Sequence, residues 1–207
     1  MKKIVKCFSV IVLMVMINIM ISSRASAEIK LGISVTDDGI QSFHLGISNY
    51  YHVPEREVMV IRERGIDDDD LPVVFFIASH ARVSSDVILS LRAKQMSWFT
   101  ICTKYGLSAD IFYYPMDYVI VKGSPYGRAY GYYQRPKKQW KKIVLIDDDI
   151  VNLVNMRFFV EQHGYSPEEV VKMRSSGKKF STIYSEKKNS KSSSKATGHK
   201  KGNKKRK

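Results

Sequence analysis

Apolar and polar positions follow a helical period over most of this chain, and in three places one arrangement recurs without gaps. The copies read Val53-Pro-Glu-Arg-Glu-Val-Met-Val-Ile-Arg62-Glu-Arg-Gly65, Val83-Ser-Ser-Asp-Val-Ile-Leu-Ser-Leu-Arg92-Ala-Lys-Gln95 and Tyr165-Ser-Pro-Glu-Glu-Val-Val-Lys-Met-Arg174-Ser-Ser-Gly177. Each begins with an apolar residue and a helix-start residue, and reaches an arginine three positions before a break. An internal repeat constrains architecture before any single residue is interpreted.

The local signals predict helices near 55–64, 84–94 and 167–176. Ser84 stands at an N-cap, and Ser166-Pro-Glu-Glu169 supplies a cap, a proline at the first helical position and a glutamate able to close a capping box. Val53 with Val58, Val83 with Ile88 and Tyr165 with Val170 have the spacing of a hydrophobic staple. Pro54 replaces the capping residue in the first copy. Gly65 and Gly177 end their helices in the left-handed conformation, and Gln95 stands at the same place without that freedom.

A second apolar-periodic segment precedes every copy: Ile40 to Tyr51, Leu71 to Ala81 and Ile150 to His163. The last two align, with Leu71 over Leu153 and Phe76 over Phe158. Acids lead each one, at Thr36-Asp-Asp38, Asp67 to Asp70 and Asp147 to Asp149. The expected fold is therefore all-α, a bundle of three related helical hairpins over about 38–66, 70–106 and 147–184. Antiparallel packing within a hairpin is expected to bring its acid run near its own Arg62, Arg92 or Arg174. Met96 to Gly106 and Phe180 to Tyr184 read as further short helices, and their Trp98 and Phe180, each six residues after an arginine, cover the hairpin core.

Consecutive aspartates lack the alternate spacing and glycine of a calcium loop, so we read them as capping groups at the positive ends of helices. No metal site is expected, because His44, His52, His80 and His163 share no ligand spacing. No catalytic residue is assigned and no cofactor is expected. The chain has no G-x-S-x-G elbow, no phosphate-cradling glycine loop, no H-E-x-x-H and no CxxC. Sequence-specific DNA binding is disfavoured, since the second helices open with Glu55, Glu57, Asp86, Glu168 and Glu169, which phosphates repel.

Residues 113–146 break the helical regularity. Glycine, proline and tyrosine crowd this stretch, which reads as a long irregular loop with one short strand at Tyr118 to Lys122. Tyr126, Arg128, Tyr130, Tyr133 and Arg135 are its candidate binding surface, for stacking on and neutralising a polyanion or sugar. The competing reading packs these tyrosines over the bundle.

The ends of the chain carry the remaining information. Met1-Lys-Lys, an apolar run interrupted by Lys6 and Asn18, and Ala25-Ser-Ala27 have the layout of a signal peptide cleaved between Ala27 and Glu28. The other reading is an uncleaved anchor, for which the run barely reaches spanning length. The first reading places the mature protein in the periplasm or outside the cell, with no transmembrane span. Cys7 would leave with the signal, so Cys102 has no partner for an internal disulfide.

The net charge of +14 divides unevenly. Residues 28–186 hold 20 Lys and Arg against 20 Asp and Glu, and residues 187–207 hold ten cations and no acid. That tail has too few apolar side chains to offset the entropy of ordering and is expected to be disordered. Its Lys187, Lys188, Lys191, Lys195, Lys200, Lys201, Lys204, Lys205, Arg206 and Lys207 are the candidate polyanion-binding residues. The repeated V-S-x-x-V-φ-x-L-R-x-x-φ-x-W unit and the P-Y-G-x-A-Y-G-Y-Y stretch resemble a group of exported bacterial proteins described only as hypothetical. The likeness covers roughly residues 38–184 and implies no activity.

Two function classes follow. One is an exported, non-enzymatic helical protein whose tail holds an anionic envelope component, extracellular nucleic acid or an acidic protein. The other is an enzyme with its site under the 113–146 loop.

Overall fold

A computed structural model of the chain describes residues 35–117, 122–123 and 125–186, with side chains from Asp38 onward. The expected signal peptide, the 187–207 tail and most of the expected strand lie outside the described residues. Those described are all-helical, contain no strand, and belong to one compact unit. No single helix among them is long and apolar enough to cross a membrane.

The chain forms α1 (Val35–Tyr51), α2 (Glu55–Glu63), a 3-10 helix (Asp68–Asp70), α3 (Leu71–Ala81), α4 (Ser85–Arg92) and α5 (Trp98–Lys104). A second 3-10 helix (Ala109–Phe112), α6 (Gly127–Tyr133), a third 3-10 helix (Lys137–Lys142), α7 (Asp147–His163) and α8 (Pro167–Ser175) follow. Residues 180–186 form α9. Helices α1 and α2, α3 and α4, and α7 and α8 pack as sequence neighbours, while α3 lies against α7 at the centre. Every residue from Leu71 to Ala78 is buried, so α3 is apolar all round because it is covered all round.

The core is aromatic where α1, α7 and α9 meet. Phe43 packs edge-on against Phe158 at 5.8 Å and against Tyr184 at 5.5 Å, and Phe159 packs on Phe180 at 5.5 Å. Burying each ring contributes on the order of 1.5–3 kcal/mol. Close approach of α1 to the C-terminal segment depends on glycine: a Cβ on Gly39 would lie 2.1 Å from Ser185 Oγ, and one on Gly46 2.9 Å from the Tyr184 hydroxyl.

Left-handed backbone recurs at two places in each copy of the sequence pattern. His52, Arg82 and Gly164, with φ of 55°, 56° and 62°, turn the chain between helices just before Val53, Val83 and Tyr165. Gly65, Gln95 and Gly177, with φ of 91°, 61° and 82°, end the second helices, and each donates its N–H to the carbonyl of Arg62, Arg92 or Arg174. The apolar partners Val58, Ile88 and Val170 are all fully buried. The Ser166 capping box forms, with Glu169 N–H reaching Ser166 Oγ at 3.2 Å and Ser166 N–H reaching Glu169 at 2.8 Å. Ser84 occupies its N-cap position but makes no side-chain cap. Its neighbour Ser85 instead donates to Glu57 of α2 at 2.5 Å.

The expected irregular loop is a more ordered segment than its composition suggests. Tyr126, Tyr130 and Tyr133 fall four and three residues apart, which is one helical face, and all three are buried. Tertiary burial of that face compensates for glycines at 127 and 131, which disfavour helix by about 1 kcal/mol each.

Gln95 is the non-glycine member of a set whose other members are glycine. A left-handed L-residue carries a strain of about 1–2 kcal/mol. Gln95→Gly is expected to raise stability by about 1 kcal/mol in urea denaturation, while Gly65→Gln lowers it by a similar amount.

Candidate functional site

Four consecutive aspartates between α2 and α3 each have different partners. A 3-10 helix turns about 120° per residue, so successive side chains diverge instead of sharing a face. Asp67 accepts the Asp69 N–H at 3.1 Å and the Lys179 ammonium at 2.7 Å. Asp68 accepts from His44 Nε2 of α1 and from Arg62 Nε of α2, both at 2.8 Å. Asp69 caps α9 by accepting the Phe180 and Ser181 N–H groups, each at 3.1 Å, with Arg174 at 3.8 Å. Asp70 accepts the Trp98 indole N–H at 3.2 Å.

The second acid run repeats part of this chemistry. Asp147 accepts the Trp98 backbone N–H at 2.8 Å, capping α5, and pairs with Arg92 at 2.5 Å. Asp149 takes Arg128 at 3.1–3.2 Å and the Ile146 N–H at 3.4 Å. The ion pairs depart from the expectation that each arginine meets its own unit's acids, although Arg92 does lie near Asp70 of its own acid run and pulls that carboxyl down. Arg62 and Arg92 each pair with the acid run that follows in the chain, and Arg174 turns back to the middle one. Each acid run is already committed to helix ends of neighbouring segments, so the arginine finds its carboxylate there.

Arg92 and Arg174 are held alike. Their guanidinium groups lie 4.3 Å over Trp98 and 4.9 Å over Phe180, and each donates to a carbonyl four residues ahead, Met96 and Lys178. Both rings are fully buried. In the first copy the residue six positions after the arginine is Asp68, so a carboxylate stands where the others have an aromatic face.

Helix α7 carries polar residues at three-residue spacing within a buried surface: Asp149, Asn152 and Asn155. Asn152 accepts from Arg174 Nε at 2.9 Å, and Asn155 donates to the Asp69 carbonyl at 2.8 Å. Arg157 reaches the Ile111 and Tyr113 carbonyls and lies over Phe76. The sequence weighs His44 only as a metal ligand and does not mark Asn155 or Arg157, because nothing local identifies a helical residue whose partner lies in another element.

Beside the aspartate turn is a cleft of about 520 Å³, lined by Arg64, Asp67, Asp70, Asp86, Leu89 and Arg92 among others. Its charges are matched internally: Arg64 pairs with Asp86 at 2.8 Å, Arg92 with Asp147 and Lys179 with Asp67. Burial pushes the Asp70 carboxyl above its ordinary value, against the pull of the Trp98 N–H and the Arg92 charge. Burial likewise raises Asp69, although the two backbone N–H groups and Arg174 oppose it. Among the described residues no group of three His, Cys, Asp or Glu is placed to hold a metal ion.

The residues proposed as a binding surface at 113–146 separate into two kinds. Tyr126, Tyr130 and Tyr133 are core residues: Tyr130 donates to the Tyr114 carbonyl and Tyr133 to the Ala109 carbonyl, both at 2.6 Å. Burial drives all three hydroxyls to higher pKa. Arg128 is half-exposed on Asp149, and Arg135 is exposed over the Tyr132 ring at 5.3 Å. The ten proposed tail cations, Lys187 through Lys207, lie outside the described residues. No family model matches the chain, and it matches no curated protein and no solved structure.

Burial alone would raise the Asp68 carboxyl, but the His44 hydrogen bond and the Arg62 charge outweigh it and hold the group below 3.8. Asp68 therefore binds its proton more weakly folded than unfolded. Its contribution is complete above 3.8 and is lost as pH falls through its lowered folded value. Asp68→Asn is expected to cost about 1–3 kcal/mol at neutral pH. Urea titrations of the two proteins at descending pH should show that difference shrinking below the ordinary carboxylate value.

Proposed function

We propose that this is an exported, non-enzymatic helical protein whose folded body serves as a scaffold for a polyanion-binding C-terminal tail. The observation that carries this reading is the partition of charge. The body is neutral, and Arg62, Arg64, Arg92, Arg128, Arg174, Lys178 and Lys179 are all paired with acids within it. The following 21 residues hold ten cations and no acid. A body of zero net charge beside a stretch of uncompensated charge favours a partner of opposite sign, such as an anionic envelope component.

The last helix before the tail is firmly attached, which suits a scaffold. Asp69 caps α9, Lys179 pairs with Asp67, and Lys178 pairs with Glu186 at 2.7 Å. The body itself we read as three copies of one hairpin unit. Support comes from the matching left-handed residues, the matching arginine carbonyl contacts, and the equivalent stacking of Arg92 and Arg174. The alternative, an enzyme site under residues 113–146, draws no support from Tyr126, Tyr130 and Tyr133, whose rings fill the space beneath them.

The test is a full-length chain with all ten tail cations changed to glutamine. The wild type is expected to bind heparin with log K falling against log salt at a slope approaching about −7 to −9, and the variant to lose most binding and most of that slope. Unchanged affinity with a flat salt response in both chains would overturn the proposal.

A further inference from the structure

Exposed cations without an ion pair, such as Arg56, Arg82, Lys94, Lys104 and Lys172, are mostly scattered along the body, but five of them crowd into one short segment. Arg135, Lys137, Lys138, Lys141 and Lys142 are all exposed, and none lies within salt-bridge distance of a carboxylate among the described residues. Of the acids next in sequence, Asp147 is engaged by Arg92 and Asp149 by Arg128, leaving exposed Asp148. The lysines sit on the third 3-10 helix, in which residues three apart eclipse, so Lys138 and Lys141 share one edge despite their like charge. An anion spanning them relieves that repulsion.

This helix is rigidly seated. Trp140 points inward, donates its indole N–H to the Arg135 carbonyl at 2.8 Å, and packs on Tyr113 at 4.6 Å and Tyr133 at 5.1 Å. The chain then extends, and its side chains alternate between faces. Ile143 and Leu145 are buried, whereas Val144 is 66% and Ile146 44% exposed. These are two of the four large exposed apolar residues described, and both follow directly on the lysines.

We propose that residues 135–146 form a docking surface for an anionic lipid bilayer. The five cations meet headgroup phosphates, while Val144 and Ile146 enter the boundary between headgroups and acyl chains. A nucleic acid fits less well. Base stacking needs an outward aromatic ring, and Trp140 is turned into the core. The site is separate from the tail and does not depend on it.

Its test uses the full chain carrying the tail substitutions above, with vesicles of phosphatidylglycerol and phosphatidylcholine. Changing Lys137, Lys138, Lys141 and Lys142 to glutamine is expected to lower partitioning roughly a hundredfold or more. Val144→Asn with Ile146→Asn is expected to lower it about tenfold and, in the chain with its native tail, to leave heparin binding unchanged. A fluorophore on Val144→Cys, in a Cys7→Ser background, should be quenched by brominated acyl chains, and one on Arg56→Cys should not. Buried Cys102, whose thiol burial pushes up to about 12, reacts slowly and gives little background.

All substituted residues except Cys7 and the tail are exposed, so the helical circular dichroism should be preserved. Unaltered partitioning in the lysine variant, or no quenching at position 144, overturns the proposal. So does a lysine variant that loses heparin affinity while the Val144 and Ile146 substitutions leave partitioning intact, which would mark a soluble-polyanion surface. Vesicle binding abolished by the tail substitutions alone would reject this site and leave the tail reading standing; binding that survives them and then falls with the lysines would do the reverse.

Discussion

Four negative charges on consecutive residues would repel one another on any shared surface, and the turn at Asp67 to Asp70 disposes of them by geometry. Asp67 and Asp69 both meet the start of α9, through Lys179 and through the first N–H groups of the helix, while Asp68 takes the α1 histidine with the α2 arginine and Asp70 the indole that begins α5. Asn155 of the central α7 holds the backbone of the same turn. Hydrogen bonds to charged groups contribute roughly 1.5–3 kcal/mol each, but burying Asp69 costs a comparable amount. The consequence is therefore specificity of arrangement. Five helices and the chain's C-terminal segment take their places relative to one short turn, and a core of interchangeable aliphatic and aromatic side chains does not by itself provide that register.

The arginines complete this scheme and explain how similar segments join without being identical. Arg92 and Arg174 use one solution, a guanidinium between an aromatic face, a carbonyl and a distant carboxylate. Arg62 uses another, because its sixth residue onward is Asp68 itself. Pairing therefore passes from one segment to the next instead of closing within each. These pairs engage the cations at the helix junctions, and the cations of residues 135–142 stand together outside them.

Helix ends were the most legible part of the chain. The Ser166 box, the glycines at 65 and 177, and the helix begun by Phe180 all follow from neighbours within a few residues, and α3 begins and ends at Leu71 and Ala81 as its periodicity predicts. The segment at 113–146 was misleading because glycine and tyrosine content describes propensity, whereas the helix there is stabilised by burying Tyr126, Tyr130 and Tyr133. The same burial removed those tyrosines from the candidate surface. Val144 and Ile146 stand out only once Ile143 and Leu145 are known to face inward.

Outside residues 113–146, the sequence alone determined where most helices start and stop, and it determined how charge is divided between body and tail, since each depends on backbone capping, periodicity or composition within a short span. Only the tertiary structure decided which carboxylate each arginine meets, which polar residues of α7 are buried with partners, and which lysines remain exposed. Apart from Arg62 with Asp68, those pairings join groups 20 to more than 100 residues apart, as with Arg174 and Asp69 or Lys179 and Asp67. Local sequence carries no term for such encounters; they are selected by the packing that brings the helices together.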